Sequence, residues 1–442
     1  MSLAAMAVPA QREAVRGKGR GMAGRLMTQG LLAASLLLLA GCGSFIRLQA
    51  PPPAEVEQLA VLGVPNARFW LDARPDGLIA EAGEMARREA ATRPPGPLPA
   101  ANFLALSGGG DNGAFGAGVM LGWTASGQRP QFNVVTGISA GALIAPFAFL
   151  GPDYDPALRE VFTGQQAIDI LVLPRLVMGG VQLLFGEAIA DISPLTRLIN
   201  RHANEAMLAA IAAEYARGRL LLIGTTNLDL QRPVVWNIGA IAASGHPDAL
   251  TLFRRILLAS ASIPGAFPPV LVDVADSERA FQEMHVDGGA SMQVFLYPPS
   301  LNLRREARGR AIERPRTAYV IRNGRVDVEP GITTRGIFSI TRRSATTLLH
   351  FSGISDISRI YLTTQRDGVG FRLAYIGSDF QAPRREPFDP EFMQALFDYG
   401  YNQARLGYPW ATTPPAVGSL LPPPGPAAAE PAPPPERRGS GR

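Results

Sequence analysis

Apolar and polar positions along the middle of this chain fall into blocks that read alternately as strand and helix. Asn102–Leu106 is a short apolar run that stops at Ser107-Gly108-Gly109-Gly110. The residues after Gly113, AFGAGVMLGWTAS, have the small and apolar content of a helix packed on a sheet. The pattern then repeats, with a strand at Phe132–Thr136, a sharp turn at Gly137-Ile138-Ser139-Ala140-Gly141 and a buried helix at Ala142–Leu150. Strand, turn, helix in repetition predicts βαβ units, whose turns at the carboxyl ends of parallel strands build a site. Further strands are expected at Leu220–Thr225, Pro233–Ile238 and Phe281–Val286, with a helix at Leu250–Ala261 that Pro264 and Gly265 break. Ala318–Arg322, Ile337–Phe351, Ile354–Thr364, Phe371–Ile376 and Pro390–Leu406 continue the alternation. Tyr154–Tyr215 interrupts it with a helical, strongly apolar insertion, read either as a buried helical pair or as a lid hinged at Gly179-Gly180.

The turn around Ser139 fits G-x-S-x-G. A serine on a tight strand-to-helix turn is forced outward, and Gly137 and Gly141 are needed because a Cβ there would strike the neighbouring strand and helix. Ser139 is therefore the candidate nucleophile.

The first turn satisfies G-x-G-x-x-G through Gly108, Gly110 and Gly113. A dinucleotide site also requires an acidic residue about 20 positions on, where Asn133 and apolar neighbours stand. A P-loop is excluded because no Lys follows the glycines; Lys18 is the only one in the chain. The remaining reading is that backbone N–H groups of Gly109, Gly110 and their neighbours point above Ser139 and stabilise an oxyanion.

Four ordered blocks resemble the patatin-like phospholipases: Gly108 to Gly113, Gly137 to Gly141, Ala259-Ser260-Ala261-Ser262-Ile263-Pro264-Gly265-Ala266-Phe267-Pro268-Pro269-Val270, and Asp287-Gly288-Gly289. The resemblance runs from near Asn102 to near Gly407. It implies a three-layer α/β/α patatin-like fold with a mainly parallel central sheet, and a Ser–Asp dyad without a catalytic His. Ser139 is then the nucleophile, Asp287 its base, and the loop of Gly108, Gly109, Gly110 and Gly113 the oxyanion hole. On its own spacing Asp287-Gly288 would read as a turn dipeptide; the resemblance gives the carboxylate its role. The chain departs from the family at Asn112, where Arg is frequent, and at Gln293, where Asn is frequent. Neither change touches the dyad. His350 lies in the Ser, acid, His order of another hydrolase class but within a run that reads as an ordinary helix. His285, two residues before Asp287, shares its strand face and could tune the carboxylate. His202 and His246 have no motif around them.

Composition changes the picture mainly at the ends. The 442 residues are 47% hydrophobic and 18% charged, enough for one large α/β domain. The net charge of +5 comes mostly from Arg12, Arg16, Lys18, Arg20 and Arg25, so no nucleic-acid partner is implied. Behind these lies Leu31–Ala40, the size of a signal-peptide core and too short to span a bilayer. It ends Leu39-Ala40-Gly41-Cys42-Gly43, which resembles the lipobox of bacterial lipoproteins, with Cys42 lipidated. Cys42 is also the only cysteine, so no intrachain disulfide or thiolate metal cluster is expected. The expected organisation is a signal segment over 1–41, a tether over 42–99 with one helix (Leu78–Ala90) and some packing onto the catalytic domain near Phe69-Trp70, the catalytic domain over 100–407 and a disordered Pro-rich tail over 408–442. No metal or organic cofactor is expected.

Three functions compete. The first is a membrane-anchored acyl hydrolase of phospholipase A or lysophospholipase type in the cell envelope, at the outer membrane of a Gram-negative bacterium. The second is a small-ester hydrolase or thioesterase with the same dyad. The third is a non-catalytic anchored scaffolding lipoprotein.

Overall fold

The computed structural model describes residues 47–164 and 191–415, other than 311, 313 and 330. The expected signal segment, Cys42, the runs Ile168–Leu173 and Leu176–Phe185 with Gly179-Gly180, and the tail after 415 lie outside the described residues.

In chain order the elements are β1 (Arg68–Trp70), α1 (Asp76–Ala91), β2 (Ala101–Leu106), α2 (Gly113–Ala125), β3 (Val134–Ile138), α3 (Ala140–Leu150), α4 (Asp155–Thr163), α5 (Ser193–His202), α6 (Glu205–Ala216), β4 (Leu220–Asn227) and β5 (Arg232–Asn237). There follow α7 (Ile238–Ala243), α8 (Ala249–Ser260), β6 (Val270–Ala275), β7 (Ala280–Asp287), α9 (Leu303–Gly309), β8 (Arg316–Arg325), α10 (Ile337–Asp367), β9 (Gly370–Ile376) and α11 (Pro390–Arg405). The strands join one sheet in the order β1-β5-β4-β3-β2-β8-β9, with β6 and β7 as an arm on β4. From β4 to β9 all neighbours are parallel, whereas β1, β5, β6 and β7 pair antiparallel.

Period-two alternation divides the core between two faces. Leu104 and Leu106 of β2 enter the large cluster with α2, α3, α8 and α11, while Phe103 and Ala105 face Ile357, Ile360 and Tyr361 of α10. A third cluster seats Leu78 and Met85 of α1 on Leu220, Leu222 and Val235. The result is a three-layer α/β/α fold. β4 is buried along its whole length, as expected of a parallel strand covered on both faces.

Three sequence expectations change. The stretch over 42–99 is not all tether: Val56, Leu59 and Val61 are buried, and Arg68–Trp70 pairs with Val234–Trp236. The catalytic unit also runs past 407, because Ala411 exchanges backbone hydrogen bonds with Leu373 and Trp410 stacks 4.8 Å from Trp123. Ile337–Phe351 and Ile354–Thr364 are not two elements but one 31-residue helix, α10, continuous through Gly353. Among the described residues no helix is long and apolar enough to cross a membrane.

Candidate active site

Strand β4 aligns the two reactive side chains. Its edge pairs with β3 from Leu220 up to Gly224, where Ile138 is the partner, and then with β7 from Thr225, where Asp287 is the partner. The carboxyl ends of β3 and β7 therefore meet at consecutive residues of one strand. Ser139 follows the first and Asp287 ends the second. Their side chains touch there, with Ser139 Oγ donating a 2.6 Å hydrogen bond to Asp287 Oδ2.

Ser139 has φ 55° and ψ −125°, a left-handed conformation that costs a non-glycine residue on the order of 1–3 kcal/mol. Packing enforces it. A Cβ at Gly137 would lie 2.4 Å from Gly141 O, and one at Gly141 would lie 2.3 Å from Leu106 O. The N–H of Ser139 donates to Ser260 Oγ (3.0 Å), which donates in turn to Gly224 O (2.7 Å). The turn is thus tied back to β4 at the residue where β3 stops.

Asp287 is buried, with 4% of its surface exposed. Its Oδ1 accepts the N–H of Gly289 at 2.7 Å, and its own N–H donates to Ser262 O at 2.9 Å. Burial raises its pKa from 3.8 to about 6, against the opposing pull of the bonds from Ser139 and Gly289. A carboxylate deprived of water in this way is a stronger base than a solvated one, which is what taking a proton from an alcohol requires.

The glycine loop sits on β8. Asn323 donates its N–H to Ser107 Oγ (2.8 Å) and its Nδ2 to Ser107 O (2.7 Å), while its Oδ1 accepts the N–H of Gly116 (3.0 Å). A Cβ at Gly109 would come within 2.2 Å of Asn323 O, so the loop can lie this close only as glycine. The oxyanion expectation narrows here. The N–H of Gly108 is used by Gln293 O at 2.9 Å, and that of Gly113 is turned to the carbonyls of Gly110 and Asp111. Neither can serve an incoming oxygen. Gly109, Gly110 and Ala140 present N–H groups that make no hydrogen bond among the described residues.

Gln293, noted as a departure, has a structural explanation. It takes the Gly108 N–H through its carbonyl, donates Nε2 to Gly289 O (2.9 Å) and donates its own N–H to Asp356 Oδ2 (2.6 Å). One residue therefore ties the glycine loop to the Asp-Gly-Gly turn and to α10. Asn112 is half-buried at the start of α2. Sequence reasoning missed the supporting roles of Ser260, Asn323 and Asp356. The available signal was polar residues closing an apolar run, as Arg322 and Asn323 do after Ala318–Ile321.

The histidines stand elsewhere. His285 is fully buried, with Nδ1 at 3.0 Å from Thr225 Oγ1 and Nε2 at 3.1 Å from Glu283, which pairs with Arg68. Burial pushes its pKa down, and it is absent from the causes that shift Asp287. His350 lies on α10; none of the four histidines bonds to Ser139 or Asp287.

Around Ser139 the walls are apolar. Leu143, Phe162, Leu195, Ile263, Phe388 and Met393 line the recess, and a second apolar pocket, which shares Leu143 and Val161 with it, is lined by Pro146, Phe147, Leu198 and Met207 between α3, α5 and α6. Described parts of the 154–215 insertion thus form one side of the site.

Residues 104–298 match the family model described as patatin-like phospholipase, and that stretch is a patatin-like phospholipase domain. No curated protein matches the chain. Among solved structures the chain is similar to the crystal structure of VipD from Legionella pneumophila, at 12% identity and a TM-score of 0.30. That match covers 70% of this chain and 66% of the other, just under two thirds of its length.

Proposed function

We propose that the protein is a membrane-anchored serine acyl hydrolase that cleaves lipid carboxylic esters, of phospholipase A or lysophospholipase type, through a Ser139–Asp287 dyad. The observation that carries this reading is the 2.6 Å bond from Ser139 Oγ to a buried carboxylate whose pKa is raised to about 6. Ser139 Oγ attacks the ester carbonyl as its proton passes to Asp287 Oδ2. The carbonyl oxygen becomes an oxyanion held by the N–H groups of Gly109, Gly110 and Ala140. The carbon–oxygen bond to the leaving alcohol breaks, and Asp287 returns the proton to that alcohol. Water, deprotonated by Asp287, then attacks the acyl-serine carbonyl; the bond to Ser139 Oγ breaks, Asp287 returns the proton to Oγ, and the fatty acid is released.

The apolar recess beside Ser139 favours a long acyl chain over a small ester or thioester. The anchor is Cys42, acylated after removal of 1–41, which puts the domain in the cell envelope of a Gram-negative bacterium at the outer membrane. This part rests on the sequence around Cys42.

A fluorophosphonate serine probe tests the dyad. Wild type is expected to label, and Ser139→Ala and Asp287→Asn to lose labelling. Labelling that survives Asp287→Asn breaks the dyad, and no labelling of folded wild type favours the scaffolding reading. Activity that does not rise on vesicles over soluble esters favours the small-ester reading. Incorporation of a labelled fatty acid in wild type but not in Cys42→Ala tests the anchor.

A further inference from the structure

α10 has two unlike halves. From Gly353 onward it packs on the sheet, with Ile357, Ile360 and Tyr361 buried against β8 and β9. Before Gly353 it leaves the sheet behind, and residues 340 to 349 are all exposed. β8 runs parallel to β2, so its carboxyl end lies on the same edge of the sheet as the glycine loop, and the returning helix begins beyond that edge. At 1.5 Å per residue, Ile337 to Phe351 projects roughly 20 Å past the rim that carries Ser139.

This projecting half carries apolar residues on the wrong side for packing. Ile337, Ile340, Leu348 and Phe351 are 75%, 50%, 73% and 57% exposed. At 100° per residue they fall within about 80° of arc, opposite the stripe of Gly353, Ile357 and Ile360 that meets the sheet. Ile332 and Val328, in the loop that leads into the helix, are also exposed. Charge along the helical half has one sign: from Gly331 to Ser355 there are Arg335, Arg342 and Arg343 and no Asp or Glu, while Asp327 and Glu329 stand on either side of Val328 in the loop. Arg342 falls on the face opposite this stripe, Arg343 about 100° from its centre and Arg335 just before the helix; a solvent-facing apolar stripe with a basic polar face is the pattern of a helix that enters the interface of an anionic bilayer. An ordinary surface helix shows the reverse.

We infer that the first half of α10, with the loop before it, docks the catalytic domain on an anionic lipid surface and so holds it beside its lipid substrate. The inference rests on the lipid-hydrolase reading for its purpose, while the docking itself is separable from catalysis. The projecting half reaches beyond the rim that carries the glycine loop and Ser139, while the recess itself lies among the helices on the other face of the sheet.

The test uses the full chain with Cys42→Ala in every sample, so that acylation at that position contributes to none. Vesicles of phosphatidylglycerol and phosphatidylcholine in equal parts, and of phosphatidylcholine alone, are floated with each protein. The Ile337→Glu/Ile340→Glu/Leu348→Glu variant is expected to lose about tenfold in vesicle binding and in hydrolysis of vesicle phospholipid. Its rate on a soluble short-chain ester should stay within about twofold of wild type. Arg335→Gln/Arg342→Gln should lose binding to the anionic vesicles alone. Leu362→Glu, equally placed on the outer stripe but 62% exposed beside the sheet, should change neither. Because all these side chains are exposed, melting temperatures should be unaltered. Unchanged flotation of the triple-Glu variant overturns the inference. So does a wild-type dimer that the triple-Glu variant dissociates without loss of vesicle binding, since the stripe would then be a contact between copies. A wild type that hydrolyses neither substrate sinks the hydrolase reading, while flotation still decides docking.

Discussion

Ser139 and Asp287 arrive along unlike strands. β3 lies in the parallel middle of the sheet, flanked by β2 and β4 and covered on both faces. β7 belongs to an antiparallel arm, with Ala280 exposed and only its last three residues buried in succession. What they share is a single stretch of β4, where Ile138 pairs with Gly224 and Asp287 with Thr225. Ser139 is therefore held by the core of the domain. Asp287 is held by three residues of pairing with β4 and by loop contacts. Changes to the glycines that pack around Ser139 should cost fold and activity together, whereas changes to the Ser139 and Asp287 side chains themselves should cost activity without loss of the fold.

The largest effect tests the chemistry of the two residues directly. Ser139→Ala should lower ester hydrolysis by ~10⁴ or more with the fold retained, measured as initial rate and melting temperature. Asp287→Asn should lower it by about 10³–10⁴, since the introduced amide can donate to Ser139 but take no proton. This second variant separates catalysis from stability. With a folded pKa of about 6 against 3.8, wild type binds the proton more tightly when folded, so its stability falls as pH rises between those values. Above about pH 6 the buried charge costs about 3 kcal/mol. Asp287→Asn should thus melt higher than wild type at pH 8, and the advantage should vanish near pH 4. An equal or lower melting point at pH 8 would contradict the burial argument.

Next in size is the glycine loop. Gly109→Ala puts a methyl group 2.2 Å from the carbonyl oxygen of Asn323, so the loop must shift away from β8. Loss of a positioned oxyanion donor costs about 10²–10³ in kcat, and a lower melting temperature should accompany it because Asn323 is part of the core. A Gly109→Ala protein with wild-type kcat would remove this loop from the mechanism.

The titration of Asp287 has a smaller signature. Only its ionised form can accept the serine proton, so kcat/KM should rise about tenfold per pH unit below about 6 and level off above it. A profile that rises through 7 with no inflection near 6 would point to another base.

The comparison of strands also explains which parts of the molecule can be read from sequence. The nucleophile turn and the glycine loop are local patterns, each a strand end, a set of glycines and a helix start within a dozen residues. Asp287 is different. Its position depends on pairing with Thr225, some 60 residues away, and Asp-Gly-Gly alone describes an ordinary turn. The same holds for β1, whose pairing of Phe69 with Val235 turns an expected tether into the edge of the sheet. In α10, Gly353 reads as a break because glycine weakens helices by about 1 kcal/mol. There a Cβ would lie 2.6 Å from the guanidinium carbon of Arg322, so the glycine leaves room for that buried side chain, a contact that no local pattern reveals. Pairings and close approaches between distant segments are what sequence periodicity leaves out.

Ser260 offers the finest test of the β4 arrangement. Its hydroxyl accepts from the N–H of Ser139 and donates to Gly224 O, and the residue is fully buried at the end of α8. Ser260→Ala would leave both backbone groups without that partner, at a cost of about 1–3 kcal/mol. If the hydroxyl only satisfies buried polar groups, the loss should show in melting temperature and leave kcat unchanged. If it also holds the strained turn at its place along β4, kcat should fall several-fold while KM stays constant, because a Ser139 displaced by a fraction of an ångström binds substrate normally but reaches Asp287 less well. The short bond between Ser139 and Asp287 makes the second outcome the expected one. Ser260→Thr, which keeps the hydroxyl, should recover kcat more fully than stability, since its extra methyl group must fit in a packed core.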